Sequence, residues 1–144
     1  MLPAETAILD GEMVVLDENH RSDINAFRLA IGSNPDRLIF VAFDLLHLEG
    51  QDLRGRTLLE RRARLQQLVR GNPAIQFSEH VSGGGEAFYE AVDRLGLEGM
   101  VSKHPDSRYK SGKTEAWIKT SVTRKRIMRS RPCCASPDGR WLLT

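Results

Sequence analysis

Apolar residues occur along the chain in short blocks set apart by polar or glycine-containing breaks. Thr6-Ala7-Ile8-Leu9 and Met13-Val14-Val15-Leu16 are β-forming runs on either side of Asp10-Gly11-Glu12. This predicts strand, kink or bulge, strand, with Gly11 letting the backbone bend. After the polar turn Asp17 to His20, Ser22 or Asp23 can cap a helix. Its apolar positions are Ile24, Phe27, Leu29, Ala30 and Ile31, and Gly32 is its stop. Leu38 to Leu46 is nearly all apolar and rich in β-formers, bounded by Asn34-Pro35 and Glu49-Gly50. It reads as a central strand buried on both faces.

Thr57-Leu58-Leu59-Glu60 has the form of a capping box. The helix it opens is predicted to turn Leu58, Leu65, Leu68 and Val69 inward and Arg61, Arg62 and Arg64 outward, ending at Gly71. Ile75 and Phe77 alternate with polar neighbours, as in a strand. Gly83-Gly84-Gly85 reads as a flexible loop. Glu86 to Leu95 has helical spacing (Ala87, Phe88, Ala91, Val92, Leu95) and stops at Gly96. Met100-Val101 and Ala116-Trp117-Ile118 look like strands joined by the polar, basic stretch Lys103 to Lys113. After Ser121 the periodicity fails, and no element is predicted over 122–144. The order β-β-α-β-α-β-α-β-β predicts an α+β fold with largely antiparallel sheets.

Composition fits one domain, or part of one: 144 residues, 40% apolar and 28% charged. No apolar run approaches a membrane span, and the start lacks the basic and apolar regions of a secretory signal. Cys133 and Cys134 are adjacent, which argues against a disulfide framework or zinc-ligand spacing. A reducing cytoplasm is the expected compartment. Charge is unevenly spread. Residues 123–144 hold six basic residues against Asp138, a net +5, which leaves −3 on residues 1–122 of the total of +2. The body is therefore not a uniformly basic nucleic-acid binder, whereas the tail is drawn to polyanions.

Four segments carry candidate chemistry. In Leu9-Asp10-Gly11-Glu12-Met13-Val14, carboxylates interrupt apolar runs; an ordinary surface turn would do the same. Asp44, inside the apolar run Phe40 to Leu46, needs hydrogen-bond donors or a cation. Phe43 beside it offers a ring face to a base, or simply core packing. In Leu97-Glu98-Gly99-Met100-Val101-Ser102-Lys103 a carboxylate leads a short strand and an ammonium ends it; five residues apart, they do not make a simple same-face pair. Ser107 to Lys113 holds three cations, two serine hydroxyls and a glycine, suited to phosphate or merely solvated. Lys119 follows Trp117 by two, so both can face one side. Ser111-Gly112-Lys113-Thr114 ends like a Walker A loop, but the earlier glycine is absent, so that motif is set aside.

Taken in order, "LDGEMVVLD", "FVAFDLLHLEG", "LEGMVSK" and "RYKSGKTEAWIK" resemble motifs III, IIIa, IV and V of the covalent nucleotidyltransferases, specifically ATP-dependent DNA ligases. "LLERRARLQQLV" and "HVSGGGEAFYEAV" resemble bacterial non-homologous end-joining ligases of the LigD type. The resemblance spans roughly residues 1–120. It implies a partial nucleotidyltransferase (ATP-grasp-like) adenylation domain over 1–121, followed by a basic, divergent tail over 122–144 with the family's OB-fold absent. It implies ATP with Mg2+ or Mn2+, and nicked or broken double-stranded DNA and end-joining proteins as partners. By position, the resemblance implies that Glu12 would lie beside the ribose or a metal-bound water and that Phe43 would stack on adenine. It further implies that Glu98 would help hold the metal, that Lys103 belongs to the nucleotide-site motif, and that Lys119 would contact the ATP phosphates.

The sequence also departs from the family. The nucleophile motif Lys-x-Asp-Gly is missing: the lysines are Lys103, Lys110, Lys113, Lys119 and Lys125, and none precedes x-Asp-Gly. Ser121 stands where motif V would place a second lysine. These departures predict a truncated or frameshifted gene whose product is inactive alone. The alternatives are another covalent nucleotidyltransferase, such as an RNA ligase or capping enzyme, or a non-catalytic remnant. The remnant could be a DNA-binding module using the tail with Arg61, Arg62 and Arg64.

Overall fold

The computed structural model describes residues 2–18, 21–112, 114–122 and 141–144. Two compact units make up the chain, Met1–Ser78 and Glu79–Thr144. Lys113 and the basic run of the tail lie outside the described residues.

The first unit is organised by β2 (Ile39–Leu48), the central strand that the apolar run predicts. β1 (Ala7–Val14) pairs with it antiparallel, and β4 (Ile75–Phe77) pairs parallel at Phe40 to Ala42. β3 (Gln51–Asp52) returns along its far end. The return is a two-residue turn in which Glu49 and Gly50 both have positive φ, 48° and 78°, as the twist of a tight hairpin favours. Thr6 N–H donates to the Glu49 carboxylate at 2.9 Å.

The break predicted at Asp10-Gly11-Glu12 is a register shift inside one continuous strand, with a second shift between Ile8 and Leu9. Gly11 is required by close approach rather than by bending. A Cβ there would sit 2.6 Å from the Val41 carbonyl oxygen and 2.5 Å from the Phe40 ring.

α1 (Ile24–Ser33) is capped by Asp23, whose carboxylate accepts from the Asn25 and Ala26 N–H groups at 2.8 and 3.0 Å. It runs one residue past Gly32. Of its predicted apolar face only Ala30 is buried, while Ile24, Leu29 and Ile31 are exposed.

α2 (Leu58–Val69) begins at a complete capping box, with Thr57 and Glu60 satisfying each other's backbone N–H groups. Leu65, Leu68 and Val69 pack with Ala42, Leu45 and Leu53 to form the core of this unit. Burying side chains of this size contributes about 1.5–3 kcal/mol each for leucine. The predicted outward direction of Arg61 and Arg62 is wrong: both are buried on the sheet side. Arg64 alone of the three is exposed, donating to Gln51 Oε1 at 3.2 Å.

The second unit holds a four-stranded antiparallel sheet in the order β5-β8-β6-β7. These are β5 (Val81–Ser82), β6 (Gly99–Lys103), β7 (Trp117–Ser121) and β8 (Leu142–Leu143). α3 (Gly85–Arg94) packs against β6 and buries Val92. No element was predicted after Ser121, yet Leu142 and Leu143 are buried in the middle of this sheet. Among the described residues no helix is long and apolar enough to cross a membrane.

Candidate functional site

The sequence-predicted site residues are divided between the two units. Glu12 and Phe43 belong to the first; Glu98, Lys103 and Lys119 belong to the second.

Glu12 is exposed on β1, opposite Val41. Phe43 is half-buried on β2, where the register steps from Asp10↔Asp44 to Gly11↔Ala42 and passes over it. The irregularity at this step lets consecutive residues serve the same side of the sheet. Ala42 and Leu45 enter the core beneath α2, and Asp44 reaches α2 as well.

The cation that Asp44 requires is Arg61. Its Nε and Nη2 donate to the two carboxylate oxygens at 2.8 Å each, a bidentate pair fully shielded from water. Leu45 N–H donates to the same carboxylate at 2.8 Å, and Arg61 Nη1 donates to the Arg56 carbonyl at 2.7 Å. Arg62 Nη1 donates to the Phe43 carbonyl at 2.8 Å, and Nη2 donates to the carbonyl of Ser78. Its guanidinium lies 4.6 Å from the centroid of the Phe77 ring. Sequence reasoning missed both arginines as structural groups. The signal was present: Leu58, Arg61, Arg62 and Leu65 follow the three-and-four spacing of a single helix face.

In the second unit Lys119 Nζ lies 2.8 Å from Glu98 Oε1, and both side chains are exposed. The hydrogen bond from Lys119, reinforced by its charge, holds the Glu98 carboxyl below the usual 4.5. The backbone builds this pair. Gly99 faces Ser121 across the β6–β7 ladder, and Val122 N–H donates to the Glu98 carbonyl at 2.8 Å. A Cβ on Gly99 would come within 2.8 Å of the Ser121 Cα.

Lys103 is different. It is buried opposite Trp117, with Nζ 4.1 Å from the centre of the indole ring. Tyr109 meets Trp117 edge-on, centroids 6.4 Å apart. In the basic loop the Ser107 hydroxyl donates to the His104 carbonyl at 2.7 Å, so this hydroxyl helps to make the turn.

No group of three or more His, Cys, Asp or Glu suited to a metal occurs among the described residues. Glu98 is an exposed carboxylate that already pairs with Lys119. That donor set suits a magnesium ion carried largely by phosphate oxygens and water, not a cage built by protein alone.

The family model for the ATP-dependent DNA ligase domain matches residues 2–120. The chain belongs to that family. It is 41% identical over 117 residues to the multifunctional non-homologous end joining protein LigD of Pseudomonas aeruginosa, covering 77% of this chain and 14% of LigD. It is 35% identical over 133 residues to a DNA ligase of Pyrobaculum neutrophilum, covering 81% of this chain and 22% of that ligase. The solved structure of mycobacterial DNA ligase D complexed with ATP and MES matches with a TM-score of 0.67 at 33% identity, covering 80% of this chain and 38% of the other. The α+β nucleotidyltransferase fold implied by the four ordered motifs is therefore present, in a family that is ATP-dependent. This chain spans less than a quarter of the length of either curated relative. The burial of Arg61 and Arg62 also removes two of the three helix cations assigned to a DNA-binding module.

Proposed function

We propose that this chain handles the nucleotide in ATP-dependent sealing of nicked or broken double-stranded DNA, in a bacterial cytoplasm and together with end-joining proteins. The observation that carries the reading is the Lys119–Glu98 pair. Two motif residues 21 positions apart meet at 2.8 Å, Lys119 on β7 and Glu98 just before β6, and both side chains are exposed and so open to phosphate. In the family reaction a lysine amine attacks the α-phosphorus of ATP and pyrophosphate leaves. The AMP then passes to a DNA 5′-phosphate, and a 3′-hydroxyl displaces it to close the nick. Such chemistry relies on positioned cations more than on covalent help.

Phe43 supplies a stacking face for adenine and Glu12 an acceptor for the ribose. Lys119 neutralises phosphate charge, and Glu98 is the carboxylate available to Mg2+ or Mn2+, which would offset further phosphate charge when bound. Lys103, clamped on Trp117, contributes a fixed positive charge to the nucleotide-site motif. None of the five lysines precedes x-Asp-Gly, so none of them is placed as the amine that takes up AMP.

Incubation with ATP and Mg2+, followed by intact-mass measurement and equilibrium dialysis, tests the reading. The expected result is weak ATP binding, no covalent AMP, and binding about tenfold weaker in Lys119→Ala. An AMP adduct would overturn the nucleophile argument. Undiminished binding by Lys119→Ala would remove Lys119 from the site.

A further inference from the structure

We propose that Arg62 is the positioning residue that fixes Phe43 for adenine, an inference that rests on the role given to Phe43 above. The backbone at Phe43 lies at a step in the β1–β2 register, where the strand departs from the regular ladder. Arg62 reaches it from α2. One arm of its guanidinium takes the Phe43 carbonyl at 2.8 Å and another takes the Ser78 carbonyl. The guanidinium lies over Phe77, which β4 places opposite Ala42. Arg61, the preceding residue, fastens Asp44 through two hydrogen bonds. Two consecutive arginines thus hold two consecutive β2 residues to one helix.

The fork matters more than the charge. A lysine could satisfy one carbonyl but lacks the planar set of donors needed to span both. A ring held before the ligand arrives avoids the ordering cost of binding, so Arg62 acts on adenine recognition without touching the nucleotide.

The test compares ATP with inorganic tripolyphosphate, which has the phosphates but no base. Parent chain, Phe43→Ala and Arg62→Lys are measured by calorimetry, with circular dichroism confirming fold. The parent should prefer ATP, and Phe43→Ala should lose that preference. Arg62→Lys should reduce it about tenfold while leaving tripolyphosphate affinity unchanged. A general structural defect would instead weaken both ligands together, and that result, or a parent-like ratio in Arg62→Lys, overturns the proposal. A parent-like ratio in Phe43→Ala overturns the role of Phe43, and this proposal with it.

Should Arg62→Lys not fold, hydrogen exchange on the parent decides. The Phe43, Asp44 and Leu45 amides should already be protected and gain less than about twofold from ATP. A gain of about tenfold or more would mean the site is ordered by ligand, not by Arg62.

Discussion

Glu98 and Lys119 neutralise each other at 2.8 Å although 21 residues of chain separate them. The pair holds the Glu98 carboxyl below 4.5, and because both groups are exposed its effect is screened. A depressed carboxyl adds stability above its unfolded value, and that stability is lost as pH falls through the lower folded value. Carboxyl NMR titration should therefore place the Glu98 midpoint below 4.5 and return it toward 4.5 in Lys119→Ala. An unchanged midpoint would show that the pair does not persist in solution.

The buried Asp44–Arg61 pair should respond much more strongly. Arg61→Met leaves a carboxylate shielded from water without its bidentate partner. Removing one member of such a pair costs about 3–5 kcal/mol. Urea unfolding of Arg61→Met, Asp44→Leu and the double variant should show the double variant to be more stable than Arg61→Met alone.

Gly99→Ala should separate β6 from β7, because the new methyl meets the backbone of Thr120 and Ser121. The expected loss is about 1–3 kcal/mol, and ATP binding should weaken with it. Gly55→Ala is the control: nothing lies within 4 Å of its added Cβ, so its stability should change by less than about 0.5 kcal/mol.

Thr57→Ala removes the hydroxyl that accepts from Glu60 N–H and leaves that end of α2 uncapped. Thermal or urea unfolding should register a loss of about 1 kcal/mol. Because α2 carries both buried arginines, the exchange protection of Phe43 should fall in the same variant.

Much of this arrangement was legible in the sequence because local chemistry determines it. The capping box at Thr57 and Glu60 needs only four residues. Asp44 within an apolar run announced a buried partner, and the structure supplies Arg61. The direction of Arg61 and Arg62 was misread because charge was given more weight than helical phase, although both fall on the same face as Leu58 and Leu65. The pairing of Glu98 with Lys119 depends on strand register, which no local pattern encodes. β8 escaped notice because two residues are too short to display a period. Gly11 was legible as special, but its cause, crowding by Phe40 and Val41, belongs to a strand some 30 positions away.

The order of the second sheet also bears on how the chain is made. β8 lies between β5 and β6, so the strand synthesised last among the four is an inner one. Until Leu142 and Leu143 emerge from the ribosome, Val81 and Ser82 have no neighbour to complete their ladder, and the Leu143 side of Ser102 stays open. The β6–β7 pair that carries Glu98 and Lys119 can form early. The sheet around it closes only when Leu142 and Leu143 are available, so a chain shortened after Ser121 would carry the Glu98–Lys119 pair on an unfinished sheet.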